Sequence, residues 1–144
     1  MRFASLGSGS RGNALVVEVK QTRLLLDCGF GIRETLARLS HLDLQPEDLA
    51  GILITHEHTD HIGGAVKFAR RYELPVWLTH GTFTNYALAQ TLPDIRLIDG
   101  HSAFQVDEIE DALLIELVGI VELAGDDPTA VGQAMDEGVD EILV

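Results

Sequence analysis

The sequence has a single cysteine, Cys28, which excludes an internal disulfide and fits a reducing cytoplasm. It has no stretch of about 18 continuous apolar residues, so no segment reads as a membrane span. Its first residues, Met1-Arg-Phe-Ala-Ser, lack the apolar centre of a signal peptide. Aromatic residues are sparse, and Phe68, Tyr72, Trp77, Phe83 and Tyr86 fall at core spacing. They form no base-stacking stripe of the kind single-strand binders use. Positive charge is missing from one end altogether. Residues 1–106 hold 11 acids and 10 bases, a balance of −1, while residues 107–144 hold 12 acids and no Lys, Arg or His, which completes the net −13. Such asymmetry marks a boundary. The acidic end would repel a phosphate backbone, so charge does not support a nucleic-acid partner.

What is present is concentrated at residues 55–61, Thr-His-Glu-His-Thr-Asp-His. Three of the six histidines fall in this heptad. His56, His58, Asp60 and His61 offer imidazole nitrogen and carboxylate oxygen, a donor set that suits Zn²⁺, with Mn²⁺ or Fe as alternatives. The heptad follows the apolar Gly51-Ile-Leu-Ile-Thr55, which reads as a buried strand, and precedes Gly63-Gly64 and a helical pattern. Open α/β sheets place their sites at that position. In extended backbone His56 and His58 point the same way and can face one ion. Asp60 and His61 are adjacent and could serve a second ion or orient a water. Two ions lower the pKa of a shared water and clamp both oxygens of a displacement.

The heptad resembles the His-x-His-x-Asp-His signature of the metallo-β-lactamase superfamily. Ser5-Leu-Gly-Ser-Gly-Ser-Arg-Gly-Asn13 and Leu24-Leu-Leu-Asp-Cys-Gly29 are similar to the small YycJ/WalJ-like branch, which is linked to hydrolysis of nucleic-acid phosphodiesters. The resemblance covers about residues 1–106. It implies His56 and His58 as ligands of one metal and Asp60 and His61 as ligands of a second. It also implies Asp27 as a carboxylate behind the metal loop. The pattern's third histidine, bridging Asp and final histidine have no counterpart downstream. His80 and His101 come too early and in the wrong context. The expected fold is therefore the α/β, αββα sandwich of that superfamily, represented by its first half.

Strands are expected near 2–6, 14–19, 22–27, 51–55, 75–78 and 95–98, and helices near 31–40, 62–72 and 82–91. The first three strands read as a meander, and the later ones alternate with helices. Gly7-Ser-Gly-Ser-Arg-Gly-Asn13 is either a flexible hairpin turn or a phosphate-cradling loop in which Ser10, Arg11 and Asn13 meet substrate. Cys28 is expected to be a small buried apolar residue. His41, His80 and His101 are expected at the surface or in turns. Lys67, Arg70 and Arg71 read as a solvated helix face, with a small phosphate-facing patch as the alternative. Ile109–Ala124 and Val131–Leu143 carry helical stripes, with Gly125 as C-cap and Asp127-Pro128 as a second helix start. An acidic helical tail over 107–144 follows, with strand–helix–strand as the alternative. Two functions fit these observations. One is a metal-dependent hydrolase with Asp60 also orienting the attacking water. The other is a half-domain that binds metal or a partner without turnover. A half-fold exposes an apolar face, which predicts either a homodimer or cover from the tail.

Overall fold

A computed structural model describes residues 2–99 and the backbone of 141–142. The chain opens with a meander of β1 (Arg2–Gly7), β2 (Ala14–Val19) and β3 (Thr22–Leu26), paired antiparallel. Helix α1 (Ile32–Ser40) then crosses over to β4 (Gly51–Leu53). A short turn of helix α2 (Thr59–Ile62), helix α3 (Ala65–Tyr72) and β5 (Val76–Thr79) follow. Helix α4 (His80–Asn85), a 3-10 turn (Ala87–Thr91) and β6 (Ile95–Ile98) complete the alternating part. β3, β4, β5 and β6 run parallel. The two-residue β7 (Glu141–Ile142) lies parallel to β1, giving the order β6-β5-β4-β3-β2-β1-β7.

Alternation along the strands separates two cores. Val16, Leu25, Ile52, Val76 and Leu78 point to one face, where they pack with Leu39, Phe68 and Ala69 from α1 and α3. Val17, Val19, Leu24, Leu26, Leu53, Trp77 and Ile98 form a second cluster, buried to 9% exposure or less. Buried parallel strands read as continuous apolar runs, which is why 51–55 and 75–78 are visible in the sequence. At one end of the sheet Glu18 is 3% exposed and pairs with Arg2 and Arg23, its neighbours on β1 and β3.

The α/β expectation and the strand positions hold, with three local differences. The helix expected over 62–72 is split in two. Gly64 takes a backbone N–H to Cys28 O contact of 2.8 Å, and a Cβ there would lie 1.8 Å from Phe30 O. That close approach interrupts the helix and lets its first turn form inside the heptad. The helix expected over 82–91 begins earlier, because the Thr79 side chain accepts from the Thr82 N–H, and it stops where Tyr86 turns extended. The helical spacing read through Ile142 gives way to strand at Glu141–Ile142, where the chain takes up the otherwise unpaired edge of β1. The rest of the acidic tail, including Ile109–Ala124, and His101 lie outside the described residues.

Candidate metal centre

The heptad leaves the carboxyl end of β4, between β3 and β5. Its backbone is held from below. The Cys28 N–H donates to His61 O at 2.7 Å, and the Asn13 N–H donates to Asp60 O at 2.7 Å. Gly29 makes room for this. A Cβ there would lie 1.7 Å from Asp60 O.

Asp27 is the hub. It ends β3 in the left-handed region, at φ 59°, a conformation Asp tolerates better than most side chains. Its side chain is 8% exposed. Oδ1 accepts from the Thr55 N–H at 2.9 Å, the Thr55 hydroxyl lies 3.0 and 2.9 Å from the two oxygens, and Oδ2 lies 2.7 Å from His61 Nδ1. A carboxylate only accepts, so His61 carries its proton on Nδ1 and the single Thr55 proton points at Asp27. Thr55 Oγ1 is then the acceptor for His56 Nδ1, 2.8 Å away. One carboxylate thus sets both tautomers, directly for His61 and through a hydroxyl for His56. Both rings keep an Nε2 lone pair for a ligand. Metal-binding histidines are held in this way, by a carboxylate or other acceptor on the far nitrogen.

The rings converge. His56 lies 4.7 Å from His58 in an edge contact and 3.9 Å from His61, centroid to centroid. His61 Nε2 lies 3.6 Å from Asp60 Oδ2. Burial and the charges of His61 and His58 lower the His56 pKa against the opposing pull of Asp27 and Asp60. That favours the neutral imidazole a metal requires. For His61, burial also acts downward, but its hydrogen bond to Asp27 and the charges of Asp27 and Asp60 outweigh it and raise the pKa.

This donor chemistry fits a divalent cation. The arrangement is not a closed cage, since among the described residues no three His, Cys, Asp or Glu side chains are drawn together tightly enough to enclose an ion. His41 and His80 are exposed and distant in the chain from the heptad. Cys28 is fully buried, and burial pushes its thiol up to about 12 against a lowering hydrogen bond from Thr35, so it is no ligand.

The glycine loop is closer to the heptad than a hairpin turn requires. The Asn13 side chain reaches Asp60 Oδ2 at 2.9 Å and His61 Nε2 at 3.1 Å. Ser10 and Arg11 are exposed and make no hydrogen bond to the heptad. They line a hollow of about 490 Å³ with Gly7, Ser8, Phe30 and Arg38. Arg38 lies over the Phe30 ring at 4.1 Å and pairs with Glu34. Thr55 is the functional side chain that sequence reasoning passes over. Its signal is a hydroxyl at a strand end, one residue before a candidate ligand.

A family model described as the metallo-beta-lactamase superfamily matches residues 7–136, running past residue 106. An exodeoxyribonuclease YycJ of Bacillus anthracis is 42% identical over 83 residues, 58% of this chain and 31% of that protein. An exodeoxyribonuclease WalJ of Streptococcus pneumoniae is 38% identical over 82 residues, 57% of this chain and 30% of that protein. The chain thus spans about a third of the length of these relatives. Among solved structures, the Rm3 metallo-beta-lactamase superposes with a TM-score of 0.58 at 23% identity, over 74% of this chain and 45% of that one, which is a likeness of fold.

Proposed function

The chain belongs to the metallo-β-lactamase superfamily, and on that premise we propose that it is a divalent-metal-dependent hydrolase acting on nucleic-acid phosphodiesters. The observation that carries this reading is the pair of imidazoles, His56 and His61, whose Nδ1 atoms are both tied back to Asp27 so that both Nε2 lone pairs are presented beside His58 and Asp60. The names of the YycJ and WalJ relatives support the substrate class. When bound, a divalent ion supplies a Lewis acid and a water of lowered pKa. His56 and His58 would hold one ion, and Asp60 and His61 a second. Asp60 would also orient the attacking water. Asp27 and Thr55 keep the two tautomers fixed, and Ser10 and Arg11 offer donors to a substrate phosphate. Zinc suits the donor set, with Mn²⁺ or Fe as alternatives. The unpaired, buried Cys28 is in keeping with the reducing cytoplasm. Among the described residues no helix is long and apolar enough to cross a membrane.

The open donor set favours a second reading, a half-domain that binds metal or a partner without turnover. Four donors serving two ions fall below the three protein ligands usual for one catalytic zinc. Loose coordination misaims the attacking water, and small misplacements cost about 100-fold in rate. A homodimer that completes the donor set would reconcile the two readings. The test joins metal content by atomic absorption to hydrolysis of a chromogenic phosphodiester and of single-stranded DNA over a dilution series, with Asp60→Ala as control. Bound zinc with activity that falls steeply on dilution supports the dimeric hydrolase. Bound zinc with no hydrolysis at any concentration supports the second reading. Activity per molecule that ignores dilution and disappears in the control would mean that one chain holds a complete site. No bound metal and no hydrolysis would overturn the proposal.

A further inference from the structure

The Asn13 amide nitrogen has two hydrogens and four acceptors around it. Asp60 Oδ2 lies at 2.9 Å, His61 Nε2 at 3.1 Å, Gly9 O at 3.2 Å and Asp60 O at 3.3 Å. The amide orientation is fixed on both sides. Its oxygen accepts the Gly9 N–H at 2.9 Å, and its nitrogen faces a carboxylate, so flipping it would set oxygen against oxygen and N–H against N–H. The amide so oriented turns an N–H toward His61 Nε2, so that nitrogen accepts and the ring proton sits on Nδ1, facing Asp27. That nitrogen has one in-plane lone pair. It can accept from Asn13 or bind an ion, but not both.

We propose that Asn13 is a positioning residue that occupies the place of a cation between Asp60 and His61, and that an ion binding there displaces its amide and loosens the glycine loop. This inference rests on the metal-dependent reading above. Two amide hydrogens pointing at a carboxylate and an imidazole lone pair imitate, weakly, the positive charge those groups are arranged to hold. They keep the pair from repelling other acceptors while no ion is present. The same side chain braces the Gly9–Gly12 turn, because its amide oxygen accepts the Gly9 N–H. Displacing the amide therefore opens the turn that lines the hollow of Ser8, Ser10 and Arg11. Metal occupancy and the shape of that hollow are then two readings of one equilibrium, and each alters the other by the same factor.

The experiment uses the full chain. Zinc affinity is measured by competition with a chromophoric chelator, and limited trypsin digestion after the exposed Arg11 is followed by mass spectrometry with and without zinc. Asn13→Ala removes the competitor, so zinc should bind roughly tenfold more tightly, the factor matching one charge-assisted hydrogen bond. In the unchanged protein zinc should speed cleavage at Arg11, and in Asn13→Ala cleavage should be equally fast with or without zinc. The wild-type comparison needs no variant and holds even if Asn13→Ala folds poorly. Zinc uptake with no change in Arg11 cleavage, or weaker zinc binding by a folded Asn13→Ala, would overturn this inference and leave the metal reading standing. No zinc uptake by the unchanged protein would overturn both.

Discussion

The two halves of the candidate centre are built to different standards. Asp60 and His61 sit on a helical turn, with backbone carbonyls held by Asn13 and Cys28 and side chains held by Asn13 and Asp27. The His56 side chain hangs from one hydroxyl. The His58 residue is exposed, its carbonyl accepting from the His61 and Ile62 N–H groups but its ring meeting the edge of His56 without a hydrogen bond among the described residues. The difference lies in where the supporting residues come from. The tight half is held by the meander, through the ends of β2 and β3. The loose half reaches the meander only through the Thr55 hydroxyl, and among the described residues no group of three His, Cys, Asp or Glu side chains closes around an ion. A preorganised half binds with little reorganisation, whereas a loose one gains order only when further ligands arrive.

The harshest way to break this contrast is to remove its shared root. Asp27→Ala leaves the Thr55 N–H and the His61 Nδ1–H without their buried acceptor, and should cost about 3 kcal/mol in urea unfolding of the metal-free protein. A loss below about 1 kcal/mol would mean that water replaces the carboxylate and that the tautomers are not set from Asp27. His61→Ala tests the tight half alone. It removes one partner of Asp27 and one of Asn13, and should destabilise the metal-free protein by about 1–2 kcal/mol. The double change of His56 and His58 to Ala tests the loose half. It should abolish stoichiometric zinc uptake by atomic absorption while moving metal-free stability by no more than about 0.5 kcal/mol. If the two halves change stability equally, the asymmetry does not exist. The mildest probe is Cys28, whose backbone N–H and C=O clasp His61 and Gly64. With a thiol raised to about 12 and no exposure, it should stay unreactive toward a disulfide reagent at pH 8 until the protein unfolds. Rapid labelling of the native protein would show that the tight half opens.

The same asymmetry explains what could be read in advance. The loose half is local, since His56 and His58 announce themselves by spacing within one extended loop. The strands were visible for the same reason, as short apolar runs at Ala14–Val19 and Gly51–Leu53 bounded by turn residues. Asp60 and His61 are legible in the same heptad, but what holds the donors from behind depends on register. Leu26 pairs with Leu53, which brings Asp27 to Thr55, and nothing in either segment alone specifies that pairing. The resemblance suggested Asp27, but Thr55 had no motif to mark it. The loop that Asn13 ends reads either as a hairpin turn or as a substrate loop, and neither reading reaches Asp60, 47 residues away in sequence. The split of the expected 62–72 helix was hidden for a similar reason, because Gly64 is shaped by Phe30, not by its neighbours in sequence.

The meander also bears on the order in which the molecule is made. β1, β2 and β3 are joined by short turns, and pairings between segments close in sequence close small loops at little entropic cost. The parallel pairings of β4, β5 and β6 must wait for crossovers through helices. Asn13 and Asp27, which hold the tight half, both lie on the part that can form first. If the meander does form first, the mould of the candidate centre precedes the loop that fills it. Mutations that weaken β2–β3 packing, such as Val17→Ala, should slow refolding in stopped-flow measurements, whereas changes in β6 should mainly hasten unfolding.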